Sequence, residues 1–289
     1  MDKCLLETAR IKYHKNLIES GVLGISNGIA SNADKSSLPS RKISETICEI
    51  IGVPNIKNKL DGQTSGRLFE EKTMIFIRET FPVLQNIRPG EWIIQRLGNQ
   101  SNCKTSDFVQ YEHLADLAEI LKNNPMLATS IGNDYVVAPD IIVARKPCSD
   151  DIINKNLKIV NMEVARHCPI RLINNNKPIL HASISAKWTM RSDRAQNSRT
   201  EALNLIRNRK GSLPHIVVVT GEPLPSRLAS LALGTGDIDC IYHFALDELI
   251  LAVEKYSTDG HEDTKSILDI LINGKRLKDI SDLPLDLSL

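Results

Sequence analysis

The sequence lacks the features that identify zinc-binding, disulfide-bonded, membrane-spanning or secreted proteins. Aromatic residues make up only 4% of its 289 residues, and its six cysteines form no CxxC pair. The cysteine spacing shows no zinc site and no redox motif, so we expect free thiols. No uncharged apolar stretch is long enough to cross a bilayer, and the charged start, Met1-Asp2-Lys3-Cys4, lacks a secretory core. We expect a protein of the reducing cytoplasm with no membrane partner.

Charge of one sign is not in excess either, because 36 Lys and Arg residues offset 35 Asp and Glu residues to a net charge of +1. By itself this balance argues weakly against nucleic acid as a partner. The distribution is uneven, however, since positions 187–210 hold seven basic and two acidic residues. Such a stretch fits a phosphate footprint, although a solvated helix face is the simpler interpretation of the stretch alone.

Apolar residues alternate between helical and strand spacing along the chain, which predicts an α/β protein with a mixed central sheet flanked by helices. Strands are predicted over 91–95, 135–144, 179–188, 216–219 and 238–244. Helices are predicted over 3–20, 43–51, 66–82, 107–123, 193–209, 225–233, 246–255 and 263–272. Residues 22–39 are predicted to form a loop. The irregular segment 147–177 is interpreted as an insertion, with a short strand near 159–160, into one domain over 1–289.

Residues near the ends of two predicted strands have the chemistry of phosphodiester hydrolysis. That reaction needs a hard cation with oxygen ligands and a positive group near the attacking water. Asp140 follows Pro139 at the start of an apolar run, Lys187 stands near the end of the strand over 179–188, and Glu201 lies on the next helix. A carboxylate inside an apolar strand is costly unless it is paired, coordinated or at an open edge. Asp140 and Glu201 are therefore candidate metal ligands, and Lys187 is the candidate positive group.

Each of these features also has a simpler interpretation. A Pro-Asp pair occurs by chance, and the polar alternation along 179–188 also fits a strand with one half-exposed face. Glu201 fits an ordinary surface residue paired with Arg194 or Arg207. Glu70 is a fourth candidate acid, for which a surface helix position is equally consistent.

The segment Arg191-Ser192-Asp193-Arg194 joins the strand that carries Lys187 to the helix that carries Glu201. Arginine can donate two hydrogen bonds to guanine, and aspartate can accept one from cytosine. The segment therefore fits a reader of G·C base pairs in duplex DNA. A capped helix start with a local Arg–Asp pair is the simpler interpretation of these four residues alone.

Together these residues resemble the NgoMIV family of restriction endonucleases. In this variant of the PD-(D/E)XK site, the second acid has moved from the strand to the following helix. The site itself is matched by Pro139-Asp140, Ser185-Ala186-Lys187 and Glu201. The likeness continues through positions 180–197, Gln63-Thr64-Ser65-Gly66, 207–220 and 273–280, and it is loosest near 1–20 and 145–177.

The resemblance implies a restriction-endonuclease-like core and a type II restriction endonuclease that uses Mg²⁺. Its substrate is expected to be duplex DNA containing GCCGGC, cut after the first G to leave four-base 5′ overhangs. It also implies a homotetramer of two back-to-back dimers, which the segment 147–177 helps to join. A cognate DNA methyltransferase is expected, because host DNA must be protected.

The resemblance further implies roles for individual residues. The catalytic set comprises Asp140 and Glu201 as metal ligands, Lys187, Ser185 in place of the displaced acid, and Glu70 as an accessory acid. The DNA-binding set comprises Arg191, Asp193 and Arg194 for the inner CCGG, Arg227 and Asp34 for the outer G·C pair, and Gln63 for a minor-groove contact.

Two other functions stay open. A repair nuclease of the same fold would act on branched or nicked DNA, which the Arg-Ser-Asp-Arg segment argues against. A DNA-binding or assembly protein without enzymatic activity would have lost the chemistry, which the intact set of Asp140, Lys187 and Glu201 argues against.

Overall fold

The computed structural model describes residues 4–57, 59–97, 104–131, 139–190, 192–234, 236–258 and 260–289, with the backbone alone for 128, 131 and 192–195. The helices are α1 (Leu5–Glu19), α2 (Leu38–Ile51), α3 (Gly62–Thr80), α4 (His113–Lys122), α5 (Pro125–Ile131), α6 (Asp150–Ile153), α7 (Ser192–Asn208), α8 (Pro225–Ala232), α9 (Leu246–Ser257), α10 (Glu262–Asn273) and α11 (Leu283–Asp286). The strands are β1 (Ile25–Ser26), β2 (Ile29–Ala30), β3 (Trp92–Arg96), β4 (Ile141–Arg145), β5 (Ile179–Lys187), β6 (His215–Thr220), β7 (Cys240–His243) and β8 (Leu277–Asp279).

The described strands form a six-stranded sheet in the order β3-β4-β5-β6-β7-β8, and β1 pairs separately with β2. β3, β4 and β5 are antiparallel neighbours, whereas β5 through β8 run parallel. Parallel neighbours need a crossover connection, which α7, α8 and the pair α9–α10 supply. Helix α3 packs on β3 and β5, and α8 packs on β7. The predicted mixed sheet flanked by helices is confirmed.

Burial explains why the central strands have continuous apolar runs. Ile141 to Ala144 on β4 and Val217 to Thr220 on β6 are buried. A strand in the middle of a sheet that is covered on both faces has no polar side to alternate with. Within the described residues, no helix is long and apolar enough to cross a membrane.

Strand directions determine where the predicted catalytic residues meet. β5 and β6 run parallel, with Lys187 opposite Thr220, so their carboxyl ends share one edge of the sheet. β4 runs the other way, with Ile141 opposite Ile184. Asp140, which precedes β4, is therefore brought to the edge where β5 ends.

Several predicted boundaries are wrong. Helix α2 begins at Leu38 rather than 43, because Ser37 caps it and Pro39 suits its first turn. Helix α3 begins at Gly62, capped by Asp61, and so includes residues that were interpreted as its entry. The predicted helix 107–123 begins instead with 3₁₀ turns, Thr105–Asp107 and Val109–Tyr111, before α4.

The strand predictions also need correction. The hairpin β1–β2 lies within the predicted loop 22–39, and β8 was not predicted, because both consist of very short strands. Residues 159–160 are not a strand, since the Asn154 side chain accepts both of their backbone N–H groups. Within the predicted strand 135–144, positions 135–138 lie outside the described residues, and β4 begins at Ile141.

Candidate active site

Asp140 is held at the edge of the sheet by three hydrogen bonds from β5. Its Oδ2 accepts from the Ala186 backbone N–H at 2.8 Å, the Lys187 Nζ at 2.7 Å and the Ser185 Oγ at 3.4 Å. The antiparallel register of β4 and β5 explains this convergence. The structure therefore brings together three of the residues predicted for catalysis, and Oδ1 of Asp140 takes no part in these contacts.

Lys187 carries a positive charge in this cluster. Although burial lowers its pKa, attraction to Asp140 and Glu201, the hydrogen bond to Asp140 and attraction to Glu70 together raise it. An amine whose pKa is raised stays protonated at neutral pH. Lys187 is thus an ammonium that can orient and stabilise anionic groups, and it is not a proton acceptor.

Ser185 lies on β5, and its side chain is buried against α7. Its Oγ lies 3.1 Å from the Oγ of Ser198, which is a residue of α7. Ser183 and Ser185 are only 6% and 8% exposed, so the alternative of a half-exposed strand face is wrong. Ser198 was missed by sequence analysis, although its place on the helical stripe of Glu201 was a usable signal.

Glu201 and Glu70 complete a group of acidic side chains at this edge. Burial raises the pKa of Glu201 to about 7, and repulsion from Asp140 and Glu70 adds to this while Lys187 opposes it. Burial and repulsion from Asp140 also raise the pKa of Glu70, which pairs with Arg96 at 2.7 Å. Neither acid is thus a freely solvated surface residue, and the negative charge at this edge is only partly neutralised.

Arg96 is a further residue that sequence analysis missed. It ends β3, and the following residue, Leu97, donates its backbone N–H to the Asp140 carbonyl at 3.0 Å. β3 therefore approaches the site through both its backbone and its last side chain. A basic residue at a strand end gives a weak signal, because such residues are common in loops and edges.

The donor set fits a small divalent cation. Across the described ranges, no group of three or more His, Cys, Asp or Glu side chains is placed so that it could hold a metal ion. Mg²⁺ does not require one, since it usually binds through one or two carboxylates together with waters and substrate phosphates. Burial, with a smaller contribution from repulsion by Asp140 and Glu70, raises the pKa of Glu201, and a bound cation would offset both effects.

Three of the six predicted DNA-binding residues have side chains that the structure describes. Arg191 and the side chains of Asp193 and Arg194 lie outside the described residues. Arg227 of α8 forms an ion pair with Asp34, and this pairing lowers the pKa of Asp34. These two residues, predicted from separate parts of the chain, are thus in direct contact.

Gln63 lies in the first turn of α3, where its side chain is exposed and its backbone N–H donates to the Asp61 carboxylate at 2.9 Å. The basic stretch 187–210 does not act as a unit, because Lys187 is engaged in the site and Arg199 donates to the Ser230 carbonyl at 2.6 Å. Arg207 is exposed.

Glu222 is a buried carboxylate beside Arg227, one of the predicted DNA-binding residues, and sequence analysis missed it. It follows β6 and is fully buried. The signal was present in the sequence, because an acid that follows a buried strand and precedes Pro223 needs a partner. The preceding Gly221 is required there, since a Cβ at that position would lie 2.5 Å from the Trp188 ring.

Comparison with known proteins places this geometry in a family. The model of the NgoMIV restriction enzyme family matches residues 13–289. The chain is also 48% identical over 278 residues to the type II restriction enzyme NgoMIV of Neisseria gonorrhoeae, covering 96% of each chain. The family match spans β3 to β8 and every candidate site residue. The chain therefore belongs to the NgoMIV restriction enzyme family.

Proposed function

We propose that the chain is a type II restriction endonuclease that cuts duplex DNA at GCCGGC, after the first G, and uses Mg²⁺ as its divalent ion. The contact of Asp140 with Lys187 at 2.7 Å, at the edge that Glu201 also approaches, carries this proposal. The 48% identity to a named type II restriction enzyme supports the same reaction class. Because such an enzyme must meet DNA, we place its action in the cytoplasm.

The side chains would divide the work as follows. Asp140 and Glu201 would hold Mg²⁺, which would lower the pKa of a bound water and neutralise charge at the scissile phosphate. Lys187, protonated at neutral pH, would orient the attacking water and stabilise the anionic transition state. Ser185 would fix the Asp140 carboxylate through its Oγ. Glu70, held by Arg96, would act as the accessory acid.

Recognition would follow from residues next to the site. Arg191, Asp193 and Arg194 stand directly after the strand that ends at Lys187, so base reading and cleavage would share one support. Arg227 and Asp34 would read the outer G·C pair, and Gln63 would contact the minor groove. Each bidentate contact to a base contributes about 1–3 kcal/mol of discrimination.

The assembly would be a homotetramer, with 147–177 as the joining segment. Four apolar side chains of this segment are largely exposed: Ile152 (64%), Leu157 (71%), Ile159 (60%) and Met162 (69%). Arg171 holds the segment together, since it is 2% exposed and donates two hydrogen bonds to Asp150. Sedimentation analysis of the parent protein tests the tetramer, and the same measurement on Leu157→Lys tests the joining role of the segment. A parent that sediments as a smaller species would contradict the first, and a variant tetramer of unchanged stability would contradict the second.

Digestion of a plasmid with mapped GCCGGC sites tests the function directly. Fragments that end at those sites with Mg²⁺, and intact plasmid with EDTA, are the expected result. Discrete fragments that end at other G·C-rich sites would support the nuclease activity and would show that the proposed outer base pair is wrong. Preferred cutting of branched DNA would favour a repair nuclease, and binding without cutting would favour a non-enzymatic protein. Co-occurrence with a GCCGGC-specific methyltransferase is the expected cellular counterpart.

A further inference from the structure

Glu222 joins two parts of the DNA-binding region through one buried carboxylate. Its Oε2 accepts the backbone N–H of Met190 at 2.9 Å, and its Oε1 accepts that of Leu224 at 3.2 Å. Met190 directly precedes Arg191, the first of the proposed readers of the inner base pairs. Leu224 is the N-cap of α8, which carries Arg227. The carboxylate therefore contacts the backbone of both DNA-reading segments.

The Arg227 side chain closes the same arrangement from the other side. Its Nη1 lies 3.6 Å from Oε2 of Glu222 and donates to the Met190 carbonyl at 3.3 Å. Its Nη2 pairs with Asp34. Both backbone polar groups of Met190 are thus held by the Glu222–Arg227 pair.

The buried position of the Glu222 carboxylate is energetically unfavourable unless its neighbours stabilise it. Burying a carboxylate costs free energy that only hydrogen bonds and charge partners offset. Burial does raise the pKa of Glu222, to about 7, against the effects of the Met190 N–H, Arg227 and the Leu224 N–H. Its own N–H donates to Thr220 Oγ1 at 3.2 Å, and Thr220 Oγ1 donates to the Lys187 carbonyl at 2.7 Å. Hydrogen bonds therefore connect the backbone of Glu222 to Lys187 at the end of β5.

We propose that Glu222 is a positioning residue that links the readers of the inner and outer base pairs, so that both ends of the recognition site are read in one register. The proposal rests on the proposed function. Glu222 acts through other residues, because its side chain is fully buried and contacts Met190 and Arg227. Removing its charge frees Arg227 from one of its two carboxylate partners and removes one backbone contact, so outer-pair reading is lost before inner-pair reading.

Glu222→Gln tests this role at about pH 8, where a carboxyl with a pKa of about 7 is mostly charged. The amide keeps the size of the side chain and lacks the charge. Single-turnover cleavage with Mg²⁺ is measured on three duplexes, containing GCCGGC, the outer variant ACCGGT and the inner variant GCATGC. The expected result is a fall of about tenfold or more in the GCCGGC-to-ACCGGT rate ratio, the size of one base contact. The GCCGGC-to-GCATGC ratio is expected to change less.

Glu248→Gln is the matched control. Glu248 is also a largely buried glutamate paired with an arginine, Arg10, and it lies outside the active site. Its replacement is expected to lower thermal stability and to leave both rate ratios unchanged. If Glu222→Gln does not fold, Glu222→Asp, which keeps the charge on a shorter side chain, is judged by the same outer-pair ratio.

The outcomes separate the inference from the function on which it rests. Parent enzyme that does not cut GCCGGC contradicts the proposed function. Parent enzyme that cuts GCCGGC, together with a Glu222 variant of unchanged ratios, overturns the positioning role alone. An equal loss of rate on all three duplexes also overturns it, because a purely structural residue would produce that result.

Discussion

Two clusters of buried acidic and basic side chains in this molecule behave in opposite ways. In one, Arg10 donates to Glu248 at 2.9 and 2.6 Å and to Asp279 at 2.9 Å through two nitrogens. Although burial raises the pKa of both acids, the hydrogen bonds and charge attraction of Arg10, together with backbone hydrogen bonds, lower the pKa of each below its ordinary value. In the active site, burial and neighbouring acids raise the pKa of Glu201, and Lys187 does not compensate.

The two clusters differ in how completely their carboxylates are paired with cationic side chains. Around Arg10, each carboxylate has a matched bidentate partner, so the cluster joins α1, α9 and β8 without need of a ligand. At the candidate active site, Lys187 faces Asp140, Glu201 and Glu70, and among the described side chains only Glu70 has a further cation, Arg96, as its partner. The uncompensated negative charge costs stability in the free protein and favours binding of a cation, which in turn would hold a phosphate. The same residue types thus stabilise the fold in one place and prepare chemistry in the other.

The largest expected effect is the loss of cleavage in Asp140→Asn. A metal ion that loses a carboxylate ligand forfeits several kcal/mol of transition-state stabilisation, which corresponds to a rate lower by about a thousandfold or more. Single-turnover cleavage of a GCCGGC duplex with saturating Mg²⁺ measures this effect. Asp279→Asn, in the other cluster, is the control and should cut at nearly the parent rate below its melting temperature. Full activity in Asp140→Asn would remove the distinction between the clusters.

The next effect is on stability and belongs to the other cluster. Arg10→Met leaves two buried carboxylates without their cation, and breaking a buried pair in this way costs about 3–5 kcal/mol. The free energy of unfolding, from urea titration, is the quantity to compare with the parent. The site preference of the folded enzyme should not change. A loss similar to that of the exposed pair Lys255–Glu49, whose replacement is expected to cost about 0–1 kcal/mol, would show that the Arg10 cluster has no special role.

How well each cluster could be predicted from sequence follows from its type of signal. Asp140, Lys187 and Glu201 could be predicted as one candidate site because strand periodicity and one reaction chemistry constrain them together. The Arg10 cluster was not found, because its members lie 238 and 269 positions apart in sequence. Only the docking of α1 against the end of the chain brings them together, and no local pattern encodes that docking.

The same reasoning applies to the fold. The parallel half of the sheet was predicted from β5 to β7, because buried Val and Ile runs alternate with amphipathic helices there. The short strand β8 was missed, since a strand of Leu277–Asp279 is too brief for periodicity to identify it. Glu222 was missed for a different reason, because its role depends on Met190 and Arg227, which approach it from two other elements.

A smaller effect has opposite pH dependence in the two clusters. The folded-state pKa of Glu201 lies above its ordinary value of 4.5, at about 7. The folded protein therefore binds a proton that the unfolded chain releases, and stability falls as the pH rises through this window. Without metal, Glu201→Gln should be more stable than the parent by about 1–3 kcal/mol near pH 8, and the gain should shrink toward about pH 5.

Glu248→Gln supplies the opposite sign. The folded-state pKa of Glu248 is lowered, so its contribution is present above the ordinary pKa and is lost as the pH falls through the folded value. This variant should therefore be less stable than the parent near neutral pH. Thermal unfolding of both variants across the pH range measures the contrast. Parallel pH curves for the two variants would mean that the active site stores no electrostatic cost.

The smallest expected effect comes from a neutral contact between two side chains of the candidate active site, Ser185 and Ser198. Their Oγ atoms lie 3.1 Å apart, and this bond ties the catalytic strand to α7. A neutral hydrogen bond contributes about 0.5–1.5 kcal/mol, so Ser198→Ala should lower cleavage by about tenfold at most and stability by a similar free energy. A double-mutant cycle with Ser185→Ala isolates the pair. Additive losses would mean that Ser198 does not act through Ser185, and that α7 is held at the site by the charge of Glu201 instead.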